Sequence, residues 1–334
     1  MRAGLPPVVI IGAGLSGLVA ANTLATAGRS SIVLDKGRSP GGRLATRRMA
    51  GADGRTARLD HGAQFFTVRS PDFADLVHDW RRAGLVREWC RGFGPEADGY
   101  PRYCAEAGMN TIAKYLASTL DVECEVKAHA LTGIDGLLAV QTEFGKRWES
   151  DAIIVTAPVP QSLALVDNGW LPVPVAERAA LDAIRYACCI GMLVTLDGPS
   201  AVPSPGGVQL DPKGSSVFSF VGDNLAKGIS DVPAVTFHTN DPVSLARFDD
   251  NDDDLCAYLL DHAAPYLGSS KVIGAQIKRW RYSRPLVGHD GGCIAVEPID
   301  ATTLVFAGDA FGAAKIEGAA LSGLAAAEAV LLRQ

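Results

Sequence analysis

What this 334-residue chain has little of narrows its function first. Its seven cysteines are Cys90, Cys104, Cys124, Cys188, Cys189, Cys256 and Cys293, and no two stand in C-x-x-C spacing. An odd count without paired spacing argues against a disulfide framework, a zinc site or a thioredoxin-like motif. Basic excess is missing too. Against 37 Asp and Glu there are 31 Lys and Arg, a net charge of −6, which leaves no footprint for nucleic acid or an anionic membrane. The acidic run Asp249-Asp250-Asn251-Asp252-Asp253-Asp254 lacks the glycine and the later glutamate of a calcium loop. It reads instead as the N-terminal complement of a helix over 253–267, and no metal is expected. Residues 3–28 carry no charge and follow Arg2, which raises a signal peptide or a membrane span. Three glycines at fixed spacing, with Asn22 and Thr23, suit a membrane helix poorly, and no other apolar run reads as a span. The expectation is a cytoplasmic protein without a membrane span.

What is present begins at Val8-Val9-Ile10-Ile11, a short buried strand, followed by Gly12-Ala13-Gly14-Leu15-Ser16-Gly17 and a small-residue helix. Gly12 permits the tight turn, Gly14 lets backbone approach a pyrophosphate, and Gly17 lets the helix pack close on the strand. The helix N-terminus then faces the phosphates with its free N–H groups and positive dipole end. Alone, Gly-x-Gly-x-x-Gly is a weak signal. Here Ala21, Leu24 and Gly28 continue it, and a second apolar strand, Ile32-Val33-Leu34, ends in Asp35. An acid about 20 residues past the glycines is the expected acceptor for a ribose hydroxyl. The chain therefore carries an adenine-dinucleotide site.

Downstream, Lys36-Gly37-Arg38-Ser39-Pro40-Gly41-Gly42-Arg43-Leu44 is too glycine-rich for a helix and reads as a loop against the ligand, with Arg43 to balance phosphate. Asp60-His61-Gly62-Ala63-Gln64-Phe65-Phe66-Thr67 could lie along a cofactor ring or be a strand with a bulge. An amphipathic helix is expected over 71–82, a loop or cap over 88–104, and a helix from Asn110 to Ser118. Strands follow at 122–126, 130–134 and 137–142, the last two joined by the hairpin signal Asp135-Gly136, and a buried strand at 152–158. Then come a helix over 175–184 and strands at 188–196, 216–221, 234–239 and 272–282. The tail places a buried strand from Thr303 that ends in Gly308-Asp309, then a loop and a helix running to Leu332 that contains Gly318 and Gly323. Such glycines cost a helix about 1 kcal/mol each, which suggests something flat packed close to it.

Together these stretches resemble the flavin-containing amine oxidase superfamily, and most closely its renalase-like branch. The resemblance runs from residue 8 to 333 and rests on the fingerprint, Asp35-Lys36, Gly41-Gly42-Arg43, residues 60–67, Gly108-Met109-Asn110, Arg279-Trp280-Arg281-Tyr282, Gly308-Asp309, Glu317-Gly318-Ala319 and Ser322-Gly323. It implies an α/β fold: a Rossmann-like FAD-binding domain with a mostly parallel sheet, and an inserted α+β substrate domain on an antiparallel sheet. The FAD domain would comprise 1–68, 105–160 and 283–334, and the substrate domain 69–104 and 161–282.

By the same resemblance, FAD binds non-covalently. Gly12, Gly14, Ser16 and Gly17 would hold pyrophosphate, with Ala13 and Leu15 in the same turn. Asp35 would take the ribose, Arg43 the phosphate or ribityl region, and Val126 the adenine. Asp309, beside Gly308, would bond the ribityl chain, and a helix starting near Glu317, with Gly318 and Ala319, would aim N–H groups at the flavin. Lys36, Gly42, Leu44, His61, Gly62, Ala63 and Gln64 complete the cofactor set, while Asn224, His238 and Trp280 would line the substrate pocket. The implied reaction moves hydride from a dihydronicotinamide reduced at ring carbon 2 or 6 to flavin N5, with O2 returning FAD and yielding hydrogen peroxide. Alternatives are an FAD amine oxidase or desaturase, a flavin-binding protein without turnover, and a two-domain NAD dehydrogenase. The oligomeric state is not readable from the sequence.

Overall fold

The computed structural model describes residues 5–94 and 97–333. The chain forms two compact units. The first comprises Met1–Gly42, Ala113–Arg185 and Arg284–Gln334, and the second Arg43–Ile112 and Tyr186–Ser283.

The first unit holds a six-stranded sheet in the order Ile294–Val296, Thr303–Phe306, Ala152–Val155, Val8–Ile11, Ser31–Leu34, Asp121–Glu123. Every neighbouring pair is parallel except the outermost, Ile294–Val296 with Thr303–Phe306. The three central strands are buried along their whole length, which is why they read as unbroken apolar runs rather than alternating ones. The helices Leu15–Thr26 and Lys315–Leu331 pack closely: a Cβ on Gly323 would stand 2.4 Å from the Ser16 carbonyl oxygen. A three-stranded antiparallel sheet, Ala128–Ile134, Leu137–Thr142 and Arg147–Ser150, completes the unit. Its Asp135-Gly136 turn has φ of +48° and +78°, the doubly left-handed geometry that dipeptide favours.

The second unit is built on a five-stranded sheet ordered Gly207–Gln209, Phe218–Asp223, Ala234–Thr239, Arg185–Leu196, Val272–Val287, antiparallel through its first four strands. The helix Asp252–Leu267 lays Leu255, Leu259 and Ala263 on Met192, Val194, Phe218 and Phe237 of that sheet. Asn251 Oδ1 accepts from the Asp254 N–H at 2.9 Å, and three aspartates fill the first turn, where the helix dipole favours them. The helix Pro71–Arg82 buries Phe73, Val77 and Trp80, as its periodicity predicts, with Ser70 as its cap.

Two expectations need correction. The stretch 88–104 is not a loop throughout: Val86–Cys90 and Arg102–Ala105 pair as an antiparallel hairpin. Gly92, Gly94 and Gly99, all at positive φ, interrupt the pattern between them and hide it. The domain limits also differ. Residues 161–185 belong with the first unit, because the helix Val159–Asn168 closes on Ala128–Ile134: Asn168 Nδ2 donates to the His129 carbonyl at 2.9 Å. Residues 43–68 and 105–112 belong with the second, where Thr46–Ala50 pairs with Thr56–Asp60 and Thr236 Oγ1 donates to the Asp60 carbonyl at 2.9 Å.

Candidate functional site

In the first unit the strand Val8–Ile11 runs into Gly12, whose φ of +108° no side-chain residue adopts easily. A Cβ on Gly17 would stand 2.0 Å from the Gly12 carbonyl oxygen, so only glycine lets the helix start against the turn. A Cβ on Gly14 would meet no atom within 4 Å, which leaves room there for a ligand. Asp35 fastens the turn: its Oδ2 accepts from the Ala13 N–H at 2.7 Å and its Oδ1 from the Gly37 N–H at 2.6 Å. Each carboxylate oxygen keeps a second lone pair for a ribose hydroxyl. Val126 sits beside it, donating its N–H to the Asp35 carbonyl at 2.9 Å. The glycine loop folds back onto the turn, with the Gly41 N–H on the Ala13 carbonyl at 2.8 Å and a Gly42 Cβ position 3.3 Å from Gly14 Cα. Lys36 is exposed and reaches Gln161.

The fit of a pyrophosphate is testable on one atom. Ser16 Oγ is buried in the first helical turn and has no hydrogen-bond partner. The N–H groups of that turn also lack intrahelical acceptors, as in any helix. A phosphate would satisfy both, and a lone buried hydroxyl is otherwise costly. Leu15, by contrast, is a buried apolar residue.

At the same C-terminal edge of the parallel strands, Gly308 has φ of +135° and donates to Ser322 Oγ at 2.8 Å, which sets Asp309, only 9% exposed, just past the strand Thr303–Phe306. The last helix starts at Lys315, which puts Glu317 in its first turn. Lys315 itself has φ of +93°, a strained backbone at the helix start. Gly318 and Gly323 do not mark a flat ligand. A Cβ on Gly318 would collide with the Ala313 carbonyl at 1.3 Å, and Gly323 faces the first helix, so the helix packs on protein backbone at both. Ala319 is half-buried between them.

The second unit organises Asp60–Gln64 around a pair that sequence reasoning missed. Lys227 Nζ lies 2.7 Å from Asp60 Oδ2, with both side chains fully buried. Asp60 Oδ1 also accepts from Thr46 Oγ1 at 2.6 Å and from the Met109 N–H at 2.8 Å. Ala226-Lys227-Gly228 reads as an exposed turn, so nothing in the sequence signals this burial. Gly62 permits a close crossing: its Cβ would stand 2.0 Å from the Arg43 carbonyl, which accepts from the Ala63 N–H at 2.9 Å. Arg43 Nη1 donates to the Tyr282 carbonyl at 3.1 Å, and Leu44 is buried.

Beside this segment lies a cavity of about 280 Å³, lined by Gly62, Ala63, Gln64, Phe65, Gln209, Leu210, Pro212, Ser219, Phe220 and His238. It joins residues expected along the cofactor ring to one expected at the substrate. Phe65 is braced from behind by Trp89 and Phe93 of the 88–104 stretch, with ring centroids 6.3 and 5.2 Å away. His238 Nε2 lies 3.2 Å from the His61 carbonyl, which can only accept, so Nε2 carries the proton. Burial holds the His238 imidazole down to about 4. His61 is also held near 4, by burial first and then by the Lys278 charge. Trp280 stacks on His61 at 5.3 Å and donates Nε1 to the His61 carbonyl at 2.8 Å, while Tyr282 meets Tyr186 instead. Trp280 therefore braces the segment.

Asn224 is a correction. It is 1% exposed; its Nδ2 donates to Thr236 Oγ1 at 3.0 Å and the Ala234 carbonyl at 3.2 Å, and its Oδ1 accepts from the Asp60 N–H at 3.3 Å. With its amide spent on the scaffold, it is not among the lining residues of the cavity. Thr156, unforeseen, clasps the dinucleotide turn by donating to the Ile11 and Gly12 carbonyls at 3.0 and 3.2 Å. Its signal was a hydroxyl at the C-terminal end of a strand parallel to the first.

The pattern of an NAD(P)-binding Rossmann-like domain matches residues 10–80, and that of flavin containing amine oxidoreductases matches residues 72–331. The chain is 22% identical to renalase of Mus musculus over 293 residues, 83% of this chain and 84% of renalase. A 62-residue stretch is 48% identical to lysine-specific histone demethylase 1 homolog 1 of Arabidopsis thaliana, covering 19% of this chain but 7% of that protein. A putative protoporphyrinogen oxidase from Exiguobacterium sp. 255-15 has a similar structure (TM-score 0.75, 13% identity), covering 99% of this chain and 100% of that one. Wild-type putrescine oxidase bound to putrescine is similar as well (TM-score 0.71, 16% identity), with 98% and 99% covered. At these identities the two structures speak for the fold alone. Among the described residues no helix is long and apolar enough to cross a membrane.

Proposed function

We propose that this chain, which belongs to the flavin-containing amine oxidoreductase family and is an FAD-dependent oxidoreductase, oxidises an isomeric dihydronicotinamide of NAD(P)H. FAD, when bound, would supply the hydride acceptor, with O2 as the proposed final acceptor and hydrogen peroxide as the product. The Gly12–Gly17 turn, the unpartnered Ser16 hydroxyl and Asp35 would hold the dinucleotide, and Asp309 would bond the ribityl chain.

One observation carries the choice of substrate: the residues lining the cavity include no carboxylate and no cation. Phe65 and Phe220 offer flat apolar faces, Ser219 and the amides of Gln64 and Gln209 offer polar atoms, and His238 stays neutral above about pH 4. A charged amine would lose its water there without gaining a counter-ion. An uncharged dihydropyridine ring loses nothing comparable. Hydride loss from such a ring is driven by its own nitrogen lone pair, so the chain needs to orient it, not to abstract a proton.

Stopped-flow flavin reduction between pH 6 and 9 tests this. Since His238 titrates near 4, the wild-type rate should be flat across that range. His238→Ala should slow it about tenfold or more by mispositioning, without removing a pKa from the profile. A rate that climbs with pH through an amine's own pKa would count against the proposal, and an indifferent mutant would remove His238 from the site.

A further inference from the structure

We infer that the cavity of the second unit has a fixed outer wall, and that Asn240 is the positioning residue that latches it. Asn240 holds Leu210 and Pro212 at a set spacing from His238, so the cavity is a pre-formed slot and not a site that closes on its ligand. This rests on the dihydronicotinamide reading and deepens it.

Leu210 and Pro212 line the cavity from the connection between the strands Gly207–Gln209 and Phe218–Asp223. Little else supports that connection. Gly207–Gln209 is an edge strand of its sheet, and Asp211, Pro212, Lys213 and Ser215 are exposed. The tip's own bonds only tighten its turn: Asp211 Oδ1 accepts from the Lys213 N–H at 2.9 Å, and the Asp211 carbonyl from the Gly214 N–H at 3.0 Å. Among the described residues, the hydrogen bonds that reach 211–217 from outside the hairpin come from Asn240 and Asp241. Asn240 Nδ2 donates to the Gly214 carbonyl at 3.0 Å and to the Ser216 carbonyl at 2.5 Å. The Asn240 N–H donates to the Val217 carbonyl at 2.9 Å, and the Asp241 N–H to the Pro212 carbonyl at 2.8 Å. Asn240 is itself held in place. It is 2% exposed, and its Oδ1 accepts from the Val243 N–H at 2.8 Å as the cap of the helix Asp241–Ala246. It also directly follows the strand Ala234–Thr239, which carries His238. The latch therefore ties the wall to the backbone of the histidine, and the two keep their spacing. A slot held in this way takes a planar ring without the ordering cost that a mobile wall would add to each binding event.

Asn240→Ser isolates the latch. A serine caps a helix about as well as asparagine does, but it has no amide to span the Gly214 and Ser216 carbonyls. The FAD-loaded variant should take up deuterium over residues 210–217 about tenfold faster or more than wild type, with 234–239 unchanged. In stopped-flow reduction by a dihydronicotinamide isomer that bleaches the wild-type flavin, its Kd should rise about tenfold or more. The limiting rate should stay within about threefold, since the wall contributes to capture and not to hydride loss. Pro212→Ala cuts back the wall at an exposed residue without touching the latch, and should raise the Kd about threefold or more. Unchanged uptake in Asn240→Ser would overturn the latch. An unchanged Kd in either variant would overturn the wall, and both results would leave the dihydronicotinamide reading intact. Loss of FAD in step with loss of reduction would make Asn240 a merely structural residue and overturn its role. If Asn240→Ser does not fold, Pro212→Ala decides by itself. If no dihydronicotinamide bleaches wild type, the reading falls and the inference falls with it.

Discussion

Gly17→Ala is expected to purify nearly colourless, with its FAD content reduced about tenfold or more, a loss of at least about 1.4 kcal/mol of cofactor binding. The added Cβ has only 2.0 Å to the Gly12 carbonyl oxygen, where contact needs well over an ångström more. The helix must therefore draw back from the turn, taking with it the N–H groups and Ser16 Oγ that a pyrophosphate would meet. Gly14→Ala is the informative control. Gly14 has an ordinary φ of −77° and a Cβ there meets nothing within 4 Å, so this variant should fold as well as wild type while still crowding the ligand. Absorbance of bound flavin per polypeptide, read beside the melting temperature of the FAD-free protein, separates the two. Full flavin content in Gly17→Ala would contradict the assignment of this turn.

The second large effect concerns stability. Lys227→Met leaves the Asp60 carboxylate buried and without its cation, which should cost about 3–5 kcal/mol. For a unit of this size that is a fall of roughly 6–20 °C in melting temperature. The double variant Asp60→Asn/Lys227→Met should recover most of the loss, because no charge then remains buried; Thr46 and the Met109 N–H keep an acceptor in the amide oxygen. The pair is thus strongly coupled in a double-mutant cycle. A shift equivalent to less than about 1 kcal/mol in Lys227→Met would show that water reaches Asp60 and that the clamp on the Asp60–Gln64 segment is loose.

How far the sequence could be read follows from the range of the interactions involved. The dinucleotide turn was legible because its demands are local. Gly12 needs a positive φ, Gly17 a missing Cβ and Asp35 a place one strand away, and all three follow from spacing. The Asp135-Gly136 hairpin and the helix Pro71–Arg82 were legible for the same reason. Side chains whose partners lie far along the chain were not. Asn224 reads as a polar strand-end residue, yet it is spent on Asp60, 164 positions away, and on Thr236. Lys227 looks like a solvated turn lysine and is wholly buried against Asp60. Gly318 and Gly323 were read correctly as places of close approach but wrongly as to what approaches, since period and composition cannot distinguish a flavin from a carbonyl of the same chain. The domain limits failed similarly. The change of texture at Pro172-Val173-Pro174 falls inside the segment 161–185, and the packing of Val159–Asn168 on Ala128–Ile134 keeps the part before it with the first unit.

The measurement that bears most directly on the proposed activity is anaerobic flavin reduction by a panel of candidate reductants. Dihydronicotinamides reduced at ring carbon 2 or 6 should bleach the bound flavin within seconds and leave ordinary NAD(P)+ in solution. Readmitted O2 should then restore the colour with one hydrogen peroxide per flavin. Putrescine and other alkylamines should leave it yellow, because the lining of the cavity offers their charge no partner. Bleaching by an amine, with both dihydronicotinamide isomers inert, would contradict the account.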